Sequence, residues 1–150
     1  MTPITTKAEA ETAVADLTAL LENLSGLVQR ETALVRAGQV RGAAEIEPIK
    51  RELSVRLYAA GERLKASAKF IMQAVPGRCA ALKDAQEALR AALQKNMVVL
   101  ATAHAVSEGI VRRLSGELAK KTSPRVYGAS GRAVAPNPKH GRPLAISRTL

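Results

Sequence analysis

The chain has 150 residues, 47% of them hydrophobic but only 2% aromatic, with a formal charge of +10 and one cysteine. That length points to one domain with a thin core of Leu, Val, Ile and Ala, and the lack of β-branched and aromatic runs excludes a β fold. Cys79 stands alone, which excludes a disulfide framework within the chain and suits a reducing compartment.

Met1 to Glu11 holds no apolar run and carries Glu9 and Glu11, so a signal peptide is not expected. Thr6 followed three residues later by Glu9 is a capping-box pattern. Val14, Leu17, Leu20, Leu21, Leu24, Leu27, Val28, Leu34 and Val35 recur at helical spacing. They predict a first helix over about 7–37, with a seam at 17, 20, 24, 27, 31 and 34 that Glu31 interrupts. Ala37-Gly38-Gln39 is the expected stop.

A second helix is predicted over about 40–75, on a stripe of Ile46, Ile49, Leu53, Leu57, Ala60, Leu64, Ile71 and Val75. Pro48 lies inside it, where it removes a backbone hydrogen bond at a cost of about 3 kcal/mol. Either one bent helix passes through it, which is the preferred reading, or the long helix begins there. Val75-Pro76-Gly77 is a strong breaker, and Phe70, Ile71, Met72 and Val75 are expected to plug the tip before it.

The third helix is predicted over about 78–120 and carries two apolar seams. One runs Leu82, Ala85, Leu89, Ala92, Asn96, Val99, Ala103, Val106 and Ile110. The other, about 100° round the cylinder, runs Leu93, Met97, Leu100, His104, Ser107, Val111, Leu114 and Leu118. Two seams ask for two partners. One partner is the rest of the chain; the other is a second chain, unless one wide stripe is buried on two sides. Asn96 on the first seam is either a buried, register-setting amide or a boundary residue facing water. Gly109 and Gly116 weaken the helix towards its end, by about 1 kcal/mol each relative to Ala.

Composition changes at Thr122, where prolines and glycines replace the apolar period. The division expected is a helical bundle over 1–121 and a disordered tail over 122–150. The tail holds Arg125, Arg132, Lys139, Arg142 and Arg148 and no acid, which suits an acidic partner. Its end, Leu144 to Leu150, is either a short docking segment or plain solubilising chain.

No catalytic constellation, phosphate loop or zinc spacing is present in the sequence. His104 and His140 stand apart, and Cys79 reads as a small buried hydrophobe. The expectation is a protein that is not an enzyme and needs no cofactor, metal or small-molecule substrate. The longest apolar run, Met97 to Val106, is about half what a membrane span needs, so a soluble cytoplasmic protein without membrane insertion is expected.

The segment from Leu27 to Gln39, with its Glu31, its alkyl residues and its Ala37-Gly38 break, resembles the first-helix end of FlgN-type flagellar export chaperones. Lys50 followed by Leu53 is similar to that family's lysine-leucine step, and Asn96 to an asparagine of its long last helix. Tyr127-Gly128 is similar to the turn that precedes its loose tail. The resemblance implies an antiparallel bundle of about three long helices in the bacterial cytoplasm. It implies binding of the amphipathic C-terminal segments of hook–filament junction proteins and their delivery to the flagellar type III export gate. On this chain, partner binding would fall on the second seam at Leu93, Met97, Leu100, Val111, Leu114 and Leu118, and gate docking on Tyr127. The positive charge and Pro48 depart from the family's pattern, since such chaperones are commonly acidic.

Two other classes stay open. The basic tail would suit nucleic acid or another acidic surface, although Tyr127 is its one aromatic residue for stacking on bases. Alternatively, the second seam meets its own copy in a structural coiled-coil homodimer, where a chaperone would be a monomer.

Overall fold

A computed structural model describes residues 3–122, and every regular element among them is an α-helix. The order is α1 (Lys7–Arg36), α2 (Val40–Ala66), α3 (Ala68–Ala74) and α4 (Pro76–Thr122). The expected tail, with Tyr127 and the five basic residues, lies outside the described residues apart from Thr122. The chain divides into two compact units, residues 1–104 and 105–150, within α4.

The capping box forms at the start of α1. Thr6 Oγ1 accepts from the Glu9 N–H at 3.3 Å, and the Glu9 carboxylate accepts from the Thr5 and Thr6 N–H groups, both at 3.1 Å. Those N–H groups, Thr5 first, hold the Glu9 carboxyl below its ordinary pKa. A lowered carboxyl contributes stability above its unfolded pKa and loses it as pH falls through the folded value.

Gly38 ends α1 in a Schellman turn. The Gln39 N–H reaches the Leu34 carbonyl at 2.9 Å, and the Gly38 N–H reaches that of Val35 at 3.0 Å. Gly38 has φ of +72°, and a Cβ there would meet nothing within 4 Å. Gly38→Ala therefore carries only the backbone penalty, about 1 kcal/mol. Gly26 lies within α1 with the same open space and no positive φ, so Gly26→Ala should add about 0.5–1 kcal/mol. Urea unfolding of the two variants should shift the midpoint in opposite directions.

α2 runs through Pro48, which is exposed, so the long helix does not begin there. The predicted second helix does not continue to Val75, however. It breaks at Ser67, with φ −119° and ψ 19°, into α2 and the seven-residue α3. The reason is tertiary: Ser67 Oγ accepts the Ile4 N–H at 3.0 Å, from a residue 63 positions away. The break turns Ile71 and Val75 into the core, while Phe70 and Met72 stay exposed and do not plug the tip. Pro76 then opens α4, where its missing N–H costs nothing.

The first unit is built on regular three-and-four seams. From α1 come Ala10, Val14, Leu17, Leu21, Leu24 and Val28, all buried. α2 lies against α1 in the reverse direction: Gly42 approaches Leu34, Lys50 meets Glu31, and Ser67 meets Ile4. α2 contributes Ile46 and Leu64, with Leu53, Leu57 and Ala60 half-buried. α4 adds Leu89 and Ala92, with Leu82 and Ala85 half-buried. Cys79 is half-buried against this cluster.

The second unit's described part is the stretch 105–122 of α4. Val106 and Ile110, expected on the inward seam, are both more than half exposed.

Candidate functional site

Each long seam of the first unit carries a polar residue where an apolar one belongs, and the three meet. On α1 the steps 10, 14, 17, 21, 24, 28 lead to Glu31. On α2 the steps 46, 50, 53, 57, 60, 64 put Lys50 on the seam and leave Ile49, which the sequence reading had placed there, half exposed. On α4 the steps 82, 85, 89, 92, 96, 99, 103 put Asn96 on the seam. Lys50 Nζ donates to both Glu31 oxygens at 2.9 Å. Asn96 Nδ2 donates to Glu31 Oε2 and to Thr32 Oγ1, both at 3.0 Å. Thr32 Oγ1 in turn donates to the Val28 carbonyl at 2.8 Å.

This layer is secluded. Glu31 and Asn96 are buried, and the Lys50 side chain retains 18% of its accessible surface. Lys50 also reaches Glu47, one helical turn back, at 3.0 Å. Burial by itself would lower the Lys50 pKa, but the hydrogen bonds to Glu31 and Glu47, with their charges, outweigh it and hold the ammonium above the ordinary lysine value. No described buried side-chain nitrogen or oxygen is left without a partner. A satisfied buried polar layer sets register and helix rotation, because any slip strands its charges in a low-dielectric interior.

The rotation of α4 has a consequence on its adjoining face. With Asn96 turned to Glu31 and Thr32, Leu93, Met97 and Leu100 fall about 40–100° round from it and keep 41%, 69% and 39% of their accessible surface. The alternative of one wide, doubly buried stripe does not describe these three residues. The second unit has exposed apolar residues of its own, including Val111, Leu114 and Leu118. Thus all six candidate partner-binding residues are exposed, three in each unit. Tyr127 lies outside the described residues.

The inward position of Lys50 and the part played by Thr32 escape a hydropathy reading. Counting α2 in alternating steps of three and four from Ile46 recovers Lys50. Thr32 carries no such signal, because it lies beside the seam.

Two surface depressions are open and shallow: Ala8, Glu9, Thr12, Ala13, Asp16 and Arg63 line one, and the turn around Ser67 lines the other. No group of described His, Cys, Asp and Glu residues is arranged to hold a metal ion. No described helix is long and apolar enough to cross a membrane. No protein-family model, curated protein or solved structure matches the chain.

Proposed function

We propose that this chain is a helical binding module that holds an amphipathic terminal segment of another protein. On the FlgN-type resemblance, it is a cytoplasmic export chaperone for hook–filament junction proteins, which it delivers to the flagellar type III export gate. The observation that carries the reading is the exposed row Leu93, Met97 and Leu100, on a helix whose adjoining inward seam is held at Asn96. An amphipathic segment that folds only against a partner needs such a row at helical spacing. Glu31, Lys50 and Asn96, quoted separately for the resemblance, also converge in one cluster, which favours a shared architecture over chance composition. In this reading α1, α2 and α4 are the long helices of an antiparallel bundle.

Burying one Leu or Met side chain is worth about 1.5–3 kcal/mol. Leu93, Met97 and Leu100 keep 41%, 69% and 39% of their accessible surface, so docking on them has roughly 2–4 kcal/mol left to gain, against association costs of about 4 kcal/mol or more. Capture on this row alone would be weak and reversible, and a tighter complex needs flanking contacts as well.

The test is affinity capture by the tagged chain from nuclease-treated lysate of flagellated cells. The expected catch is a hook–filament junction protein that disappears when its C-terminal segment is removed. Met97→Asp should weaken that capture by at least about tenfold, the equivalent of 1.4 kcal/mol. Capture unaffected by either change would sink the proposal.

A further inference from the structure

The outward row of α4 and the chain's net charge begin at the same place. Residues 1–87 hold twelve basic and eleven acidic side chains, and so are nearly neutral. Residues 88–150 hold eleven basic side chains and two acidic ones, Glu108 and Glu117. Between Glu87 and Glu108 no acidic residue occurs, and Leu93, Met97 and Leu100 lie in that interval.

The rotation of an α-helix sets the neighbours of the row. At 100° per residue, Arg90 lies about 20° round from Met97, on the flank away from the core. It is exposed and makes no ion pair with a described residue. Glu87, an acid further round that flank, has Lys83 at 3.8 Å. The face thus offers three apolar anchors beside a cation without an ion pair, in a stretch, 88–107, that holds no acidic residue.

We infer that the segment captured on this face is an acidic amphipathic helix, with an apolar stripe at three-and-four spacing flanked by Asp and Glu. This rests on the docking reading above and names the chemistry of its partner. A second copy of the chain fits poorly, because it would bring Arg90 towards Arg90 with no acidic residue in 88–107 to meet either. Residues 123–150 of the same chain meet the same objection, having five basic side chains and no acid. Nucleic acid offers phosphate but no apolar stripe for Leu93, Met97 and Leu100. A bilayer surface favours an apolar face several turns long, whereas this row covers about two.

The experiment uses the full chain and two labelled helical peptides in fluorescence anisotropy. Both peptides carry one leucine stripe; one has Glu on its flanks and the other Lys. At about 50 mM salt the Glu peptide should bind at least about tenfold more tightly, and at about 500 mM that advantage should fall below about threefold, as screening shortens the reach of the charges. Arg90→Glu should narrow the preference, and Met97→Asp should weaken both peptides. Equal binding of the two peptides, lost together in Met97→Asp, would overturn the acidic assignment and leave the docking reading standing. Binding of neither peptide would overturn both. Binding to phosphatidylglycerol vesicles with neither peptide bound would also overturn both, and would assign the charge to a lipid surface.

Discussion

Glu31→Ala is expected to lower the free energy of unfolding by about 3 kcal/mol. Glu31 accepts from two helices at once, from Lys50 on α2 and from Asn96 on α4. Removing it leaves one Asn96 N–H unpaired in a buried site, which costs about 1–3 kcal/mol. It also strips Lys50 of its more buried partner. Breaking a fully buried pair costs about 3–5 kcal/mol, but Lys50 keeps some solvent and retains Glu47, so its share is smaller. Urea unfolding followed by helical circular dichroism measures the loss, and a change under about 0.5 kcal/mol would show that the layer contributes little.

Lys50→Met should cost at least as much as Glu31→Ala, since it leaves the buried Glu31 carboxylate with Asn96 but without a counter-ion. The two changes combined should cost less than their sum, because they remove one shared interaction. Replacing Glu31, Lys50 and Asn96 together by apolar residues should restore much of the stability, as buried ionic groups often do no better than a packed apolar layer. The expected cost is loss of register, seen as broadened spectra or a changed oligomeric state.

The same layer sets a pH dependence. The Lys50 pKa is raised by its two carboxylate partners, against the opposing effect of burial. A raised lysine contributes stability in full below its unfolded pKa, about 10.4, and loses it as pH rises through the folded value. Stability of the natural chain should therefore decline above about pH 10 more steeply than that of Lys50→Met. Parallel declines would mean that Lys50 gains nothing from Glu31.

The second large effect separates the two sides of α4. Leu89 is on the inward seam with 7% of its surface accessible, and Leu89→Ala is expected to cost about 2–4 kcal/mol through lost burial and a residual cavity. Met97, two turns on and rotated outward, should tolerate Met97→Ala within about 0.5 kcal/mol. The order reverses for binding: Met97→Ala should weaken capture of an amphipathic segment, while Leu89→Ala leaves it intact at temperatures where the variant is folded. Measuring unfolding and binding on both variants tests the assignment of the faces. Equal stability losses would mean that Met97 is covered in solution and that the row is not a free surface.

Much of this architecture was legible in short-range pattern. The capping box needs Thr6 and Glu9 within one turn, and the Schellman stop needs only Gly38 at a position where φ becomes positive. The interruption at Val75-Pro76-Gly77 was local too, although Pro76 and Gly77 belong to the first turn of α4, whose start the pattern put at about 78. The second seam of α4 was legible as a wide apolar arc, but whether it was left outward or buried on two sides stayed open. Other features were not. Ser67 breaks the second helix through a hydrogen bond to Ile4, 63 residues away, and no residue beside it announces a stop. Lys50 displaces Ile49 from the inward seam, because a lysine reads as surface until Glu31 is known to lie opposite. Asn96 was undecided between core and boundary for the same reason.

By itself, then, the sequence determined the all-helical class, the long α1 and α4 and the ends of α1, through periodicity and caps that act within a few residues. Tertiary structure decided where the second helix breaks, which of Ile49 and Lys50 faces inward, and which side of α4 is left outward. Those outcomes depend on charge and hydrogen-bond partners brought together from three helices, and the cost of a buried polar group is set by its partner, not by its own position in the chain.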